Sequence, residues 1–319
     1  MVAYVIRRLL VNVLVFFGLS VGIFALVRAA PGDPVLVMID PTQAQGAGPG
    51  FLAMKRHELG LDQPLPLQYF SWLRRAVTGD LGVSYVSHRG VADVLTERLG
   101  PTVLLMGTAL AIGIILGALV GTIAAVRRNS AVDYTAAVLS MATVSVPSFF
   151  VGIAAIYVFS LNLRILPSAG MSTPGGGGGA DILRHLVLPA TILGLSVAGP
   201  MVRYVRGGLI GELNADYVRT AVAKGASPWR VVFRHALRNT LIPLITIVMI
   251  YIPQLLGGAV VIEQIFSWPG MGQLVVSSVA ALDYPVVVGF ALYIGVLVLL
   301  CNLLADVLYA VADPRVRLS

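Results

Sequence analysis

Residues 103–126 read VLLMGTALAIGIILGALVGTIAAV, an apolar stretch without a single charged side chain. A helix needs about 20 mostly apolar residues to cross the hydrocarbon core of a bilayer. This stretch is long enough to do so, and Arg127 and Arg128 follow it directly. It therefore predicts a membrane-spanning helix.

Comparable apolar stretches lie on both sides of it. Together they predict six spans: Leu9–Val27, Val103–Val126, Tyr134–Leu161, Leu186–Val205, Leu241–Ile262 and Val286–Val311. The chain is 57% hydrophobic and 12% charged, whereas soluble domains carry about 25% charged residues. The sequence thus predicts an all-α integral membrane protein with six transmembrane helices.

The net charge of +7 and the pI near 9.8 could indicate a nucleic-acid-binding protein. The basic residues, however, lie in the gaps between the apolar stretches and form no single basic face. The four histidines lack metal-ligand spacing, and no phosphate-binding loop of the G-x-x-x-x-G-K-[ST] type is present. We therefore expect a chain that is not an enzyme and that binds no nucleic acid, metal or cofactor itself.

The basic residues also predict the orientation, because positive charge near the ends of spans stays in the cytoplasm. Thirteen of the 22 lysines and arginines fall in the terminal segments and the alternate loops that share their side. Six others occupy one loop, residues 29–101, that is too long to be governed by the charge rule. Both termini are expected to be cytoplasmic.

The expected organisation has four parts. Residues 1–29 hold the first helix, residues 30–101 form an extracytoplasmic loop, residues 102–312 hold the other five helices, and residues 313–319 form a cytoplasmic tail. Helical patterns at Leu52–Leu59 and Leu67–Val77, separated by a proline-rich turn, predict a small helical cap within the external loop.

Polar residues and prolines inside the spans are candidates for a translocation pathway. Mild polar groups such as Ser145, Ser196, Gln254 and Asn302 either make hydrogen bonds between helices or line a path. Prolines bend spans, and freed carbonyls are tolerated only against protein or a wet cavity. The candidate pathway residues are Ser145, Pro147, Ser196, Pro200, Tyr251 and Gln254.

The longest predicted cytoplasmic loop, residues 206–240, predicts a helix–turn–helix. Asp216 is expected to cap a first helix whose small or apolar residues Val218, Ala221, Val222 and Gly225 share one face. Gly225 is expected to end that helix with a positive φ. Ser227 and Pro228 then begin a second helix. Because the side chains on this face are small, they favour close contact with another protein over burial in lipid headgroups.

This loop resembles the EAA loop of permeases from ATP-binding-cassette (ABC) importers, in the form found in dipeptide and oligopeptide transporters. The resemblance rests on residues 216–225, DYVRTAVAKG, and residues 234–239, RHALRN. Further marks occur in order along the chain: residues 31–34 (PGDP), 59–62 (LGLD), 79–82 (GDLG), 185–189, 266–272 and 306–315. In the family pattern the loop begins with glutamate and alanine, and Arg219 and Thr220 stand there in this chain.

The resemblance implies a type I importer fold, like that of the methionine importer permease, in a bacterial inner membrane. It implies as partners a second homologous permease, two cytoplasmic ABC ATPase domains that bind ATP and Mg²⁺, and an extracytoplasmic substrate-binding protein. The residues implied to couple to the ATPases are Asp216, Tyr217, Arg219, Thr220, Ala221, Lys224, Gly225, Arg234 and His235.

Three alternatives stay open at this point. Importers of nickel, glutathione, opines or haem share the permease pattern. A secondary transporter driven by an ion gradient would require a better-placed intramembrane carboxylate than the sequence offers. A membrane scaffold or sensor without transport would not require kinked, weakly polar spans.

Overall fold

The computed structural model describes residues 2–29, 49–58 and 62–312. Parts of the sequence motifs quoted above lie outside these ranges, namely residues 31–34, residues 59–61 and residues 313–315. The predicted tail, residues 313–319, also lies outside them. Within them the secondary structure is helical. Its α-helices are α1 Val2–Ala29, α2 Pro49–Glu58, α3 Leu65–Val77, α4 Val91–Val126, α5 Ala131–Ser145, α6 Ser148–Ala155, α7 Gly179–Leu213, α8 Asp216–Ala223, α9 Pro228–Arg230, α10 Leu237–Ile265, α11 Met271–Ala280 and α12 Tyr284–Ala312. Two π-helical segments, Ile156–Asn162 and Val231–Ala236, follow α6 and α9.

All six predicted apolar stretches fall in helices: in α1, α4, the α5–α6 pair, α7, α10 and α12. By length and composition, four helices among the described residues could cross a membrane, and the α5–α6 pair makes a fifth candidate. The helix α10, with 29 residues, contains the stretch Leu241–Ile262. The all-helical membrane fold is therefore confirmed.

A sharp bend separates α5 from α6. The two helices meet at 98° across a break at Val146 and Pro147. Proline has no N–H and disfavours a helical conformation in the residue before it. Val146 is accordingly extended, with φ −92° and ψ 122°, and Pro147 precedes α6. The predicted third stretch is thus a broken helix, where the sequence indicated only a kink.

The chain divides into two compact units. In the first, which comprises Met1–Arg7, Leu99–Gln273 and Leu300–Ser319, α4 packs closely on α7. A Cβ atom at Gly113, Gly117 or Gly121 would clash with Val197, Met201 or Val205 respectively. These glycines recur every four residues, so they share one face of α4 and let the two helix backbones approach.

The second unit comprises Arg8–Arg98 and Leu274–Leu299. The predicted cap helices are present in it as α2 and α3, with Pro64 and Pro66 at the start of α3. The buried Tyr69 of α3 shares a hydrogen bond of 2.7 Å with Ser20 of α1. The buried Asp283 accepts hydrogen bonds from the Ser84 hydroxyl and from the Tyr85 backbone N–H. These contacts tie the loop to α1 and to the start of α12.

Candidate functional site

The segment 206–240 forms the predicted helix–turn–helix: α8, a turn, and α9 leading through the second π segment into α10. The turn is a Schellman motif. Gly225 has φ +81°, its N–H donates to the Val222 carbonyl at 2.9 Å, and the Ala226 N–H donates to the Ala221 carbonyl at 3.1 Å. Glycine adopts this left-handed conformation without steric cost. The prediction that Gly225 ends the helix with a positive φ is confirmed.

The start of α8 differs from the prediction. The capping position is Ala215, which is extended and makes no side-chain hydrogen bond, and Asp216 is the first helical residue. Its carboxylate lies 3.6 Å from the Arg219 guanidinium, with both side chains exposed. A negative charge in the first turn still favours the helix through the dipole. Asp216 therefore stabilises α8 by charge and does not cap it.

The face of α8 predicted to meet a partner is divided in the structure. Val218 is buried, with 4% of its surface exposed, and Ala221 is half-buried, whereas Val222 and Gly225 are exposed. The buried edge attaches α8 to its own chain because α8 packs against the second π segment. The surface open to a partner therefore holds Val222 and Gly225 together with the polar residues Thr220 and Lys224.

A hydrogen-bonded cluster joins α8 to the two long helices on either side of it. The Tyr217 hydroxyl donates to the Glu212 carboxylate of α7. The Asn239 amide of α10 donates to the Tyr217 oxygen at 3.1 Å and to Glu212 at 3.4 Å. Partial burial raises the pKa of Tyr217, and the bond to Glu212 raises it further, so the phenol remains a neutral donor. A displacement of α8 would thus reach α7 and α10 through Tyr217.

An apolar core lies beneath this cluster. It consists of Ala125 of α4, Leu209 of α7, and Val232 and Ala236 of the second π segment. Thr240 of α10 packs against Gly208 so closely that a Cβ at Gly208 would lie 2.9 Å from the threonine methyl. The segment is therefore built onto the ends of α4, α7 and α10.

The remaining predicted coupling residues lie on the same segment. Arg219, Thr220 and Lys224 are exposed on α8 or at its end, and Arg234 is exposed on the second π segment. His235 belongs to that π segment, and its side chain is outside the described part of the structure. The structure thus brings the predicted coupling residues into one hairpin.

The candidate pathway residues are not gathered in this way. The hydroxyls of Ser145 and Ser196 donate to carbonyls of their own helices, Met141 at 3.0 Å and Leu193 at 2.6 Å. Short hydroxyl side chains often return to the preceding turn. For these two residues the donated bond is therefore within one helix.

The other pathway candidates are spread over three helices. Pro147 is exposed at the α5–α6 bend, Pro200 is half-buried inside α7, and Tyr251 is half-buried on α10. The Gln254 side chain lies outside the described part. A cavity of about 370 Å³ is lined by apolar side chains, among them Ile114, Met201, Val205 and Leu244, and none of the six candidates lines it.

Sequence reasoning missed a fully buried carboxylate, Glu263 of α10. It accepts hydrogen bonds from the Thr102 hydroxyl at 2.7 Å and from the backbone N–H groups of Gly272 at 2.7 Å and Gln273 at 3.1 Å. The latter two belong to the first turn of α11, where free N–H groups favour an anion. Glu263 therefore holds the first turn of α11 against α10. The two glycines at positions 270 and 272 were the available signal.

A second missed feature is an ion pair between α5 and α7. Asp133, almost fully buried, accepts hydrogen bonds from the Arg206 guanidinium at two atoms, the longer at 2.7 Å. It also accepts from the Asn129 backbone N–H at 2.9 Å. Arg206 is the first residue of the hairpin segment, so the pair anchors that segment to α5.

Comparisons with known proteins identify the family of the chain. Residues 109–318 match the family described as the binding-protein-dependent transport system inner membrane component, and residues 1–106 match the N-terminal region of that component. The chain belongs to this family. It is the permease component of a binding-protein-dependent ABC importer, a component of an inner membrane.

Relatives resemble the permease over its full length. A putative peptide permease of Brucella suis biovar 1 is 43% identical, with all of both chains covered. The oligopeptide transport system permease AppB of Bacillus subtilis strain 168 is 39% identical over 99% of this chain and 100% of its own. The glutathione transport system permease GsiC of Escherichia coli K12 is 40% identical over 99% of each chain.

Among solved structures, the inward-facing MetNI methionine ABC transporter matches with a TM-score of 0.54 at 18% identity. The match covers 69% of this chain and 96% of the other. At that identity it concerns the fold alone, and it agrees with the type I importer fold expected from the sequence.

Proposed function

We propose that the permease imports small peptides and that α8 couples it to cytoplasmic ATPases. For the substrate class, two of the relatives described above are named as peptide or oligopeptide permeases and a third as a glutathione permease. Glutathione is itself a small modified peptide, so one substrate class covers all three. Glutathione import is the second candidate, supported by the 40% identity to that relative.

The observation that carries the coupling role is the exposed surface of α8 on a rigid base. The helix presents Val222 and Gly225 outward, and Tyr217 links it to Glu212 of α7 and Asn239 of α10. A partner that pulls on α8 would therefore move the ends of two long helices. Chains of hydrogen bonds and rigid helices of this kind can carry energetic coupling between two sites.

The remaining parts of the proposed assembly follow from the family. The permease would pair with a second homologous permease, ATP and Mg²⁺ would bind to two ATPase domains, and an extracytoplasmic protein would deliver the peptide. Both termini and the hairpin 206–240 would face the cytoplasm, in agreement with the positions of the basic residues.

The test of the coupling role is the substitution Gly225→Glu. A Cβ at this position meets nothing within 4 Å, but φ is +81°, so a side chain costs roughly 1 kcal/mol of backbone strain and the carboxylate projects into the partner surface. We expect normal membrane abundance, weakened co-purification of the ATPases and lost peptide uptake. Arg219→Ala should have a milder effect, because an exposed charge contributes only about 0 to 1 kcal/mol.

The matched control is Gly225→Ala, which introduces the same backbone strain without the bulk or the charge. It should retain most of the uptake. Wild-type uptake by Gly225→Glu at wild-type abundance, with the ATPases still bound, would exclude α8 as the coupling element.

A further inference from the structure

The second half of the hairpin carries a pair of exposed aromatic side chains. Trp229 of α9 is 74% exposed and Phe233 of the π segment is 47% exposed. Their rings are stacked, with centroids 5.2 Å apart and planes at 12°. Val231, Val232 and Ala236 of the same segment are buried, so the aromatic pair lies on the opposite, outward face.

Two arginines lie beside the aromatic pair. Arg230 and Arg234 each follow one of the rings and are exposed. From Asp216 to Arg234 the hairpin holds four basic residues and one acidic residue. The outward face of its second half is thus an apolar surface, formed by Trp229 and Phe233, with basic side chains beside it. We call this surface the aromatic ledge.

The distance to the membrane decides between lipid and protein as the occupant of this ledge. Trp229 precedes Leu241, where the apolar stretch begins, by 12 positions of continuous helix, which is about 15 to 18 Å. Even at a tilt of about 40°, this places the Trp229 backbone more than about 10 Å beyond Leu241, where the sequence predicts the hydrocarbon to begin. The headgroup layer is only about 5 to 8 Å thick, so this distance favours water over lipid around Trp229 and Phe233.

An exposed tryptophan stacked on a phenylalanine in water is typical of a protein-binding surface, because aromatic residues and arginine dominate binding hot spots. A second permease is a poor occupant, since its own cytoplasmic loops would also be basic and would repel this face. A cytoplasmic protein with an apolar pocket and an acidic rim is complementary to it.

We propose that Trp229 and Phe233 form a second docking point for the ATPase, separate from α8. The indole and the phenyl ring would occupy an apolar pocket of the ATPase, and Arg230 and Arg234 would pair with carboxylates at the rim of that pocket. This inference rests on the proposed function, since it requires the hairpin to face the ATPases. It implies that the ATPase contacts both α8 and the segment formed by α9 and the second π helix.

The test uses the complete importer, with the permease co-expressed with the ATPase chains of its own transport system. Trp229→Ala should reduce the amount of ATPase that co-purifies by about tenfold, the scale for losing a hot-spot aromatic. Trp229→Phe should retain most of the binding because it retains a ring. Phe150→Ala, at an exposed aromatic of α6, is the matched control and should leave ATPase binding unchanged.

A photo-crosslinking amino acid at position 229 identifies the occupant directly. We expect an adduct with the ATPase, and an adduct with phospholipid or with the second permease would overturn the inference. Wild-type ATPase binding by Trp229→Ala would overturn it as well. If Gly225→Glu still releases the ATPases in that case, the coupling role of α8 stands and only the second docking point fails.

Discussion

At the scale of single residues, the Asp133–Arg206 pair is a charged contact that involves the first residue of the hairpin segment. The Asp133 side chain is 3% exposed and that of Arg206 is 33% exposed. Bonds from a guanidinium to a carboxylate at two atoms are strong and directional. Loss of one partner would leave the other poorly solvated beside apolar helices. The pair thus holds the start of the segment in one position against α5.

We predict that Asp133→Asn destabilises the permease. The amide keeps the shape of the carboxylate but loses its charge, so both Arg206 and the Asn129 N–H lose their charged acceptor. The midpoint temperature of unfolding in detergent should fall by roughly 5 °C or more. Asp216→Asn, which alters the exposed pair with Arg219, is the control and should change little. Equal midpoints for Asp133→Asn and the wild type would show that the pair contributes no stability.

Single residues also show what the sequence determines by itself. The positive φ of Gly225 followed from local rules, because a glycine after a short helix commonly ends it. The Asp133–Arg206 pair joins residues 73 positions apart, and neither residue carries a local signal for its partner. The misplaced cap at Asp216 shows the same limit, since the chain entered α8 one residue earlier than its best capping side chain indicated.

At the scale of elements, the contact of α4 with α7 has an unusual composition. Gly113, Gly117 and Gly121 form its α4 side, and 72% of the most apolar window of α7 is buried. In lipid, helices gain little from apolar burial against each other and associate through close packing of small residues. The glycine stripe therefore allows α4 and α7 to pack closely within the first unit.

We predict that Gly117→Leu disrupts this contact. A side chain there would clash with Met201, and forcing atoms into a packed interface typically costs about 1–3 kcal/mol. Membrane abundance and the midpoint temperature in detergent should both fall. Gly107→Leu supplies the control, since a Cβ on that glycine of the same helix meets nothing within 4 Å. If both variants were equally stable, the stripe would not be holding α4 to α7.

Elements were predicted well because lipid imposes a simple rule on length and polarity. The glycine stripe is also visible in the sequence, as a glycine at every fourth position of residues 113–121. The prediction of a spanning helix rested only on the apolar length of that stretch. The 98° break at Pro147 was not predictable from the sequence. A proline removes one hydrogen-bond donor and permits a bend, but the angle of the bend depends on the packing of α6 against α7 and α10.

At the scale of the whole molecule, three interpretations depend on the orientation of the chain in the membrane. The charge rule predicts that thirteen basic residues lie on the cytoplasmic side. The proposed contact of α8 with the ATPases and the proposed docking of Trp229 and Phe233 likewise require residues 206–240 to be cytoplasmic. The opposite orientation would put Trp229 in reach of the substrate-binding protein and remove it from the ATPases. One measurement of the orientation therefore tests all three.

We predict that an impermeant thiol reagent applied to intact cells labels a cysteine at Gly177 and does not label one at Ala223. Gly177 lies in the glycine-rich loop before α7, where a Cβ meets nothing within 4 Å. Ala223 is exposed on α8, so both positions are open to the reagent from their own side. The native Cys301 is buried and would be replaced by alanine to remove background. After the cells are opened, both cysteines should react, which establishes that Ala223→Cys is accessible. Labelling of Ala223→Cys in sealed cells would place the hairpin outside, and neither α8 nor the Trp229–Phe233 pair could then meet a cytoplasmic ATPase.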